Sequence, residues 1–405
     1  MPYAAIARSF RQVVRLASLP LVLGACSSHC SSAGSVPATE GVLAATGWPE
    51  ADALFHTDPR WVGADDAYSV DLGAGRVLWL FGDTFVSPSG TGSRSGATMV
   101  RNTVAIEQGY DPSRASIAFY WGQDGSGHPV DFFPGTGSTW CWPGGAVRLS
   151  TADGGSALLL FMMQTQSSPG GLGFANTGWR AFYVPNPEAE PAQWKMQSVA
   201  APQNAFGAVV GSGAVLPVDG RLVAFSPDDS AHHDVYLAGW PVAAAARGDL
   251  SAITYWTGRA WESAGGSAPD GALLASSRRE PAGATAAVVM TGAQSELSVH
   301  RDPSSGRYVL VQTVGFGSTT IGMRTAPAVT GPWSQPVTVY TPPESSRAGA
   351  LVYAAKAHPE LRGADLVLTY ASIPTDLATQ LRDSTLYFPR FVKLSYGSGG
   401  PPTSQ

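Results

Sequence analysis

One pattern recurs five times along this chain and restricts its fold more than any other feature. A short run rich in Val, Tyr or Leu meets a turn, and a second, more apolar run follows. The second runs read VLWLF at Val77–Phe81, ALLLF at Ala157–Phe161, RLVAF at Arg221–Phe225, RYVLV at Arg307–Val311 and DLVLTY at Asp365–Tyr370. The turns include Gly73-Ala74-Gly75, Asp153-Gly154-Gly155, Asp219-Gly220 and Pro303–Gly306. Such short, Gly- and Asp-bounded runs are strands joined as hairpins. They fill the chain from Ala67–Leu72 to Phe391–Leu394, and only Val242–Leu250 has helical spacing. The modules begin near Ala64, Trp142, Gly213, Glu296 and His358. A β-sandwich would not explain five copies of one hairpin. Radial repetition does, so the sequence predicts one all-β domain over residues 51–396, a five-bladed β-propeller.

Composition agrees with many turns between aromatic strands: Gly 47, Pro 31 and Trp 12, with 44% hydrophobic residues. The net charge of -5 and the lack of a basic stripe argue against a nucleic-acid partner. Ahead of the domain, Arg8, Arg11 and Arg15 precede the apolar run Leu16–Ala25, which is too short to span a bilayer. Leu23-Gly24-Ala25-Cys26 resembles the lipobox of bacterial lipoproteins. That resemblance implies a signal peptide over 1–25, lipidation of Cys26 and a cell-envelope, extracytoplasmic location. An ordinary secretory leader or a buried N-terminal helix is the alternative. Residues 26–50 read as a Ser/Gly/Ala-rich linker and 397–405 as a flexible tail. Whether Cys30 and Cys141 pair stays open, and no Cys/His spacing suggests a metal site.

Four stretches carry a wider resemblance: Trp61–Thr84 (WVGADDAYSVDLGAGRVLWLFGDT), Tyr255-Trp256-Thr257-Gly258, Gly331-Pro332-Trp333-Ser334, and Ala357-His358-Pro359-Glu360 with Tyr387-Phe388-Pro389-Arg390-Phe391. They look like the exported bacterial family known as domain of unknown function 4185. That family is similar in fold to the propeller glycosidases of glycoside hydrolase families 43, 32 and 62. Some of its members are family 183 endo-D-arabinanases. The resemblance implies chemistry on furanose-rich polysaccharide.

A propeller supplies its own geometric argument. The innermost strand of a blade leaves one mouth of the channel and the second strand returns to it. The start of the first and the end of the second therefore share a mouth. This brings together Asp65 and Asp66 with Asp83, then Trp140, Trp142 and Gln164, then Asp228 and Asp229, then Glu296, then His358 and Glu360. Glycoside hydrolysis needs two carboxyl groups across the scissile bond, one of them kept protonated. Asp65, Asp66, Asp83 and Glu296 are the candidates, with one of the Asp65–Asp66 pair facing the channel. Glu296 comes from a different blade, so the wider, inverting gap of about 6.5–9.5 Å is expected. Indole faces suit sugar rings, which gives Trp140 and Trp142 a binding role. Gln164, His358, Glu360 and Arg390 complete the binding candidates.

The region Glu296-Leu297-Ser298-Val299-His300-Arg301 resembles the general-acid segment of family 43, and Ala64-Asp65 its base strand. The second blade reads Trp142-Pro143-Gly144-Gly145, without the family's third acid, for which Asp83 could substitute. Each candidate also has an ordinary reading. Asp65, Asp66 and Asp83 could cap turns, Glu296 could be a solvated strand-end residue, and His358 a satisfied structural histidine. The Trp pair could be inter-blade core, Asp228 and Asp229 solvated loop, and Arg390 the partner of a neighbouring carboxylate. The sequence thus predicts an exported glycoside hydrolase acting on arabinan-like polysaccharide, as a monomer. A non-catalytic carbohydrate-binding lipoprotein is the alternative. No cofactor is expected. Ca²⁺ would suit oxygen ligands in the channel, but no loop spells out a site.

Overall fold

The computed structural model describes residues 42–169, 173–204, 207–230, 232–263, 286–315, 319–397 and 400–401. Cys26, Cys30, the leader over 1–25 and most of the tail over 397–405 lie outside the described residues. The chain is all-β, with three short α-helices among the described residues: Pro49–Asp52, Val242–Ala245 and Leu377–Arg382. The helix expected over Val242–Leu250 thus forms only in its first half.

Five antiparallel meander sheets organise the molecule. The first holds Tyr68–Gly73, Arg76–Phe81, Thr103–Gln108 and Ser116–Tyr120. The second holds Trp140–Ser150, Ser156–Ser167, Phe174–Val184 and Gln197–Val199. The third runs from Ala214–Val218 through Arg221–Pro227, Val235–Pro241 and Thr254–Trp256 to Trp261–Glu262. The fourth comprises Ser298–Arg301, Tyr308–Val314, Thr320–Ala326 and Val337–Tyr340. In the fifth, Ala350–His358, Leu366–Pro374 and Arg390–Tyr396 are followed at the edge by Val42–Gly47, from the other end of the described chain. Residues 42–47, assigned above to the linker, are therefore an edge strand. The Asp219-Gly220 hairpin shows why such turns are placed where they are. Val218 pairs with Arg221, and both loop residues have positive φ (48° and 77°), as a primed two-residue turn requires.

The second strand of each sheet is more apolar because both of its faces are buried. In Arg76–Phe81, Val77, Trp79 and Phe81 pack towards the fifth sheet with Val367 and Phe391. Leu78 and Leu80 turn the other way, against Leu158, Leu160 and Met162 of the second sheet. The alternation repeats there: Leu159, Phe161 and Met163 join Leu222, Ala224 and Trp240 of the third sheet. Val223 and Phe225 meet Leu310 of the fourth, and Val309 and Val311 meet Leu366 and Leu368 of the fifth. Each sheet so shares a core with the one before and the one after, and the last shares one with the first. Alternation with period two makes this possible, since one strand can feed two cores. Cys141, a buried free thiol, belongs to the core between the first two sheets.

The fifth module starts at Ala350, not at His358. Leu351–Ala357 lies within the first strand of that sheet and ends on His358. His358 and Glu360 therefore sit at the far end of an innermost strand.

Glu107 stands out within the first of these cores. It is fully buried, and its Oε2 accepts from Trp79 Nε1 at 2.7 Å. Burial pushes its carboxyl up to about 7, against the Trp79 hydrogen bond and helped by the charge of Glu360. A raised folded-state pKa stabilises below the unfolded value and is lost as pH rises through the folded one. Glu107 should thus cost stability between pH 4.5 and about 7, by about 3 kcal/mol. Replacement Glu107→Gln should remove that part of the slope. Thermal melts at pH 5 and pH 8 would show the gap between the two narrowing by roughly 5 °C. An unchanged gap would contradict a buried, titrating Glu107.

Candidate active site

The site begins at a backbone irregularity. Asp66 and Ala67 both have positive φ, 70° and 54°, between the strands Trp61–Ala64 and Tyr68–Gly73. Non-glycine residues in this region carry strain that the surroundings must hold. The turn is held by Ala67 N–H to Asp65 O at 3.0 Å and Gly82 N–H to the same oxygen at 3.3 Å. It also cancels the alternation that would have sent the two acids to opposite sides. Asp65 Oδ1 and Asp66 Oδ2 each lie 2.5 Å from where a Cβ on Gly82 would sit, so they are no more than twice that apart. Both acids join the cluster, not one of them.

A second irregularity supplies their partners. In the strand Ala350–His358, Tyr353 pairs with Ala371 and Lys356 with Thr369, one residue more on this strand than on its neighbour. Ala354, at φ 56°, sits in that bulge. The extra residue brings Tyr353 and Lys356 to the same side. Tyr353 Oη donates to Asp65 Oδ2 at 2.6 Å. Lys356 Nζ, at 1% exposure, donates to Asp66 O at 2.8 Å, Ala354 O at 3.2 Å and Glu296 Oε2 at 3.2 Å. It also stands 4.1 Å from the Tyr68 ring centroid. Tyr68 is fixed in turn, its Oη donating to Ser212 O at 2.6 Å.

Glu296, just ahead of Ser298–Arg301, enters through Lys356 and through a carboxyl–carboxyl hydrogen bond with Asp66. That contact is closer than either carboxyl separation used in glycoside hydrolysis. Asp66 and Glu296 cannot flank a scissile bond as the inverting gap expected above would have them do. Burial raises Asp66 well above the carboxylate range, and the charges of Glu296 and Asp65 add to it. Burial pushes Asp65 up to about 8, the charge of Asp83 adding and the Tyr353 hydrogen bond opposing.

Asp83 follows the strand Arg76–Phe81 and reaches the same mouth, but its oxygens are already engaged. Trp142 Nε1 donates to Oδ1 at 2.7 Å and Arg101 Nη1 to Oδ2 at 3.0 Å. Burial still raises its carboxyl, against the Arg101 charge. Tyr387 Oη lies 2.9 Å from Asp83 O and 3.3 Å from Asp65 Oδ2, linking the two acids. Arg94 holds the Tyr387 loop by donating to Val62 O, Gln380 O, Asp383 O and Leu386 O.

The other candidates divide. Trp142 reaches the acids through Asp83, and Trp140 stacks under Arg101, 4.3 Å from its guanidinium carbon. Gln164 Nε2 instead donates to Thr139 Oγ1 at 3.3 Å. His358 shares a hydrogen bond of 2.5 Å with Ser69 Oγ and another of 2.7 Å with Thr369, and Ser69 also donates to Glu360. Burial lowers His358 to about 3, so it is a neutral structural histidine. These two residues lie past Lys356 along the strand and do not join Asp65, because that strand runs away from the mouth. Arg390 is taken up by Asp52 at 3.3 Å and Glu344 at 2.9 Å. Asp228 caps Ser230 N and Asp234 N, and Asp229 accepts from Asn176. Among the described residues, no group of three or more His, Cys, Asp or Glu is arranged to hold a metal ion.

Sequence reasoning missed Tyr353, Lys356, Tyr387 and Arg101. Only Tyr387, inside the tail motif Tyr387–Phe391, carried any signal.

With this geometry in place, comparison with known proteins adds the family. The chain matches the model described as Domain of unknown function (DUF5005) over residues 50–396. It belongs to that family. No curated protein sequence matches it. Among solved structures, a Bacteroides ovatus protein described as a hydrolase is similar at a TM-score of 0.62 and 15% identity, over 86% of this chain and 90% of that one. The catalytic domain of a Coprinopsis cinerea GH62 α-L-arabinofuranosidase gives 0.44 and 14%, over 83% and 92%. A Lactobacillus brevis α-L-arabinofuranosidase gives 0.43 and 13%, over 86% and 95%. At these identities the likeness is one of fold.

Gly82 is the simplest probe of the site in this DUF5005 protein. Its backbone has no need of glycine, but a Cβ would strike both acids. Gly82→Ala should destabilise by about 1–3 kcal/mol in chemical unfolding. Part of that loss should be relieved when Asp66→Ala is already present, making the double-mutant cycle non-additive. Additive losses would mean that the two carboxylates are not packed on Gly82.

Proposed function

We propose that this chain is an extracytoplasmic glycoside hydrolase that cleaves furanose-containing, arabinan-like polysaccharide by carboxylate acid–base catalysis. The observation that carries the reading is a division of labour among acids at one mouth. Asp65 is held protonated near neutral pH, while Glu296, facing an ammonium, is placed to accept. A glycosidase needs that pairing, and a binding module does not. Trp142, oriented through Asp83, offers an indole to a sugar face beside the acids. Alongside it, a cavity of about 360 Å³ lined by Met99, Val100, Pro129, Val130, Asp131 and Pro134 leaves room for further units of a polymer. Asp131 braces Arg101 N at 2.7 Å, so this cavity adjoins the Arg101–Asp83 pair.

The furanose preference draws on the resemblance to the 4185 family and the family 183 arabinanases. The five sheets, each sharing a core with two neighbours, support reading them as the blades of a five-bladed propeller. Attachment through a lipid on Cys26 draws on Leu23-Gly24-Ala25-Cys26.

Reducing-end release from arabinan, arabinogalactan and fructan is the direct test. Arabinan should be cleaved, and Asp65→Asn should lower turnover by about 10²-fold or more with the melting temperature unchanged. Binding to arabinan with no release from any of the polymers would favour the non-catalytic reading. Cys26→Ala should move the protein from the membrane to the soluble fraction, and unchanged fractionation would remove the anchor.

A further inference from the structure

Lys356 is a charged side chain of this site that is almost wholly buried. All three of its N–H donors are spent: two on the backbone oxygens of Asp66 and Ala354, the third on Glu296. The Tyr68 ring covers it. A buried ammonium is costly unless paired, and among the described residues the side-chain carboxylate it is ion-paired with is Glu296. The second hydrogen bond on Glu296 comes from Asp66, which burial keeps as the acid of that pair. Glu296 therefore accepts from two sides. Among the described residues, no ammonium or guanidinium is hydrogen-bonded to Asp65. Its hydrogen-bond partners are the Tyr353 and Tyr387 hydroxyls, with Asp83 as a nearby charge.

We propose that Lys356 is a positioning residue that commits Glu296 to taking a proton and leaves Asp65 as the group that gives one to the leaving oxygen. This rests on the hydrolase reading and deepens it. It also inverts the roles implied by the resemblance to family 43, in which Glu296 would be the acid. In the step, the Asp65 proton passes to the glycosidic oxygen as the sugar C–O bond breaks, the electron pair staying on that oxygen. A water molecule forms the new C–O bond and loses a proton to Glu296. One water is consumed, Asp65 ends as carboxylate and Glu296 as acid, and proton exchange with solvent resets both. The charged and titratable groups around Glu296 are Lys356, Asp66, Asp65, Tyr68 and Tyr353. Around Asp65 they are Asp83, Tyr353, Tyr387, Asp66, Glu296 and Lys356.

The test compares leaving groups, using 2,4-dinitrophenyl and 4-methoxyphenyl arabinofuranosides. A dinitrophenolate needs no proton to depart. Asp65→Asn should lose about 100-fold or more on the methoxyphenyl substrate and under about 10-fold on the dinitrophenyl one. Glu296→Gln should lose equally on both. Lys356→Met should move the acid limb of the kcat/KM profile up by about one pH unit, and Lys356→Arg should return it. A merely structural lysine would lower the rate without moving the limb. Infrared difference spectra at pH 6 need no substrate: Asp65→Asn should remove a neutral carboxyl band that Glu296→Gln leaves in place. The reverse leaving-group pattern, or loss of that band in Glu296→Gln, would overturn the assignment even if Lys356→Met failed to fold. Cleavage of neither glycoside, with the band still on Asp65, would instead fault the hydrolase reading alone.

Discussion

The two-faced burial of the second strand in each sheet is the constraint from which the rest of the structure follows. A strand such as Arg76–Phe81 cannot satisfy Val77, Trp79 and Phe81 on one side and Leu78 and Leu80 on the other unless sheets flank it on both sides. At about 25 cal/mol per Å² of apolar surface, each such strand contributes several kcal/mol that a single sheet would forgo. The same demand, repeated in every module, arranges the sheets so that each innermost strand starts near a common mouth. Burial decides the layout, and the layout gathers the acids.

The polar groups at that mouth form a connected set that must be satisfied together. Trp142 and Arg101 hold Asp83, Tyr387 links Asp83 to Asp65, and Lys356 joins Asp66 to Glu296. In a low-dielectric setting these carboxyls cannot all ionise, so their protons are shared out by position. Two of the groups, Asp66 and Tyr387, sit on left-handed backbone, as does Ala67 beside the first. Strain there is offset by contacts such as the four carbonyls gripped by Arg94, which hold the Tyr387 loop against the strand Trp61–Ala64.

Much of this was legible in the sequence. The apolar second strands and their turns located the sheets, and the rule that strand starts and ends share a mouth brought Asp65, Asp66, Asp83 and Glu296 into one region. What was not legible came from departures from period two. The bulge at Ala354 turned Lys356 towards the acids, and the positive φ at Asp66 aligned two consecutive carboxyls. Taking His358 as the start of the fifth module put it at the wrong end of its strand, and Glu360 with it. For Arg390 the structure matches the ordinary reading, a neighbouring carboxylate, although its partners Asp52 and Glu344 are distant in sequence and carry no local signature. The strand Val42–Gly47, which reads VLAATG, is short and rich in small residues, so composition alone read it as linker.

That strand sets a timetable. Val42 is paired with Tyr396, so the earliest-made strand of the described chain completes a sheet whose other three members are synthesised last. Throughout translation the partner of residues 42–47 does not exist, and the ladder can form only after residue 396 has been made. Once formed, it ties residues 42–47 and 390–396 side by side. Opening of either strand must then break that hydrogen-bonded ladder.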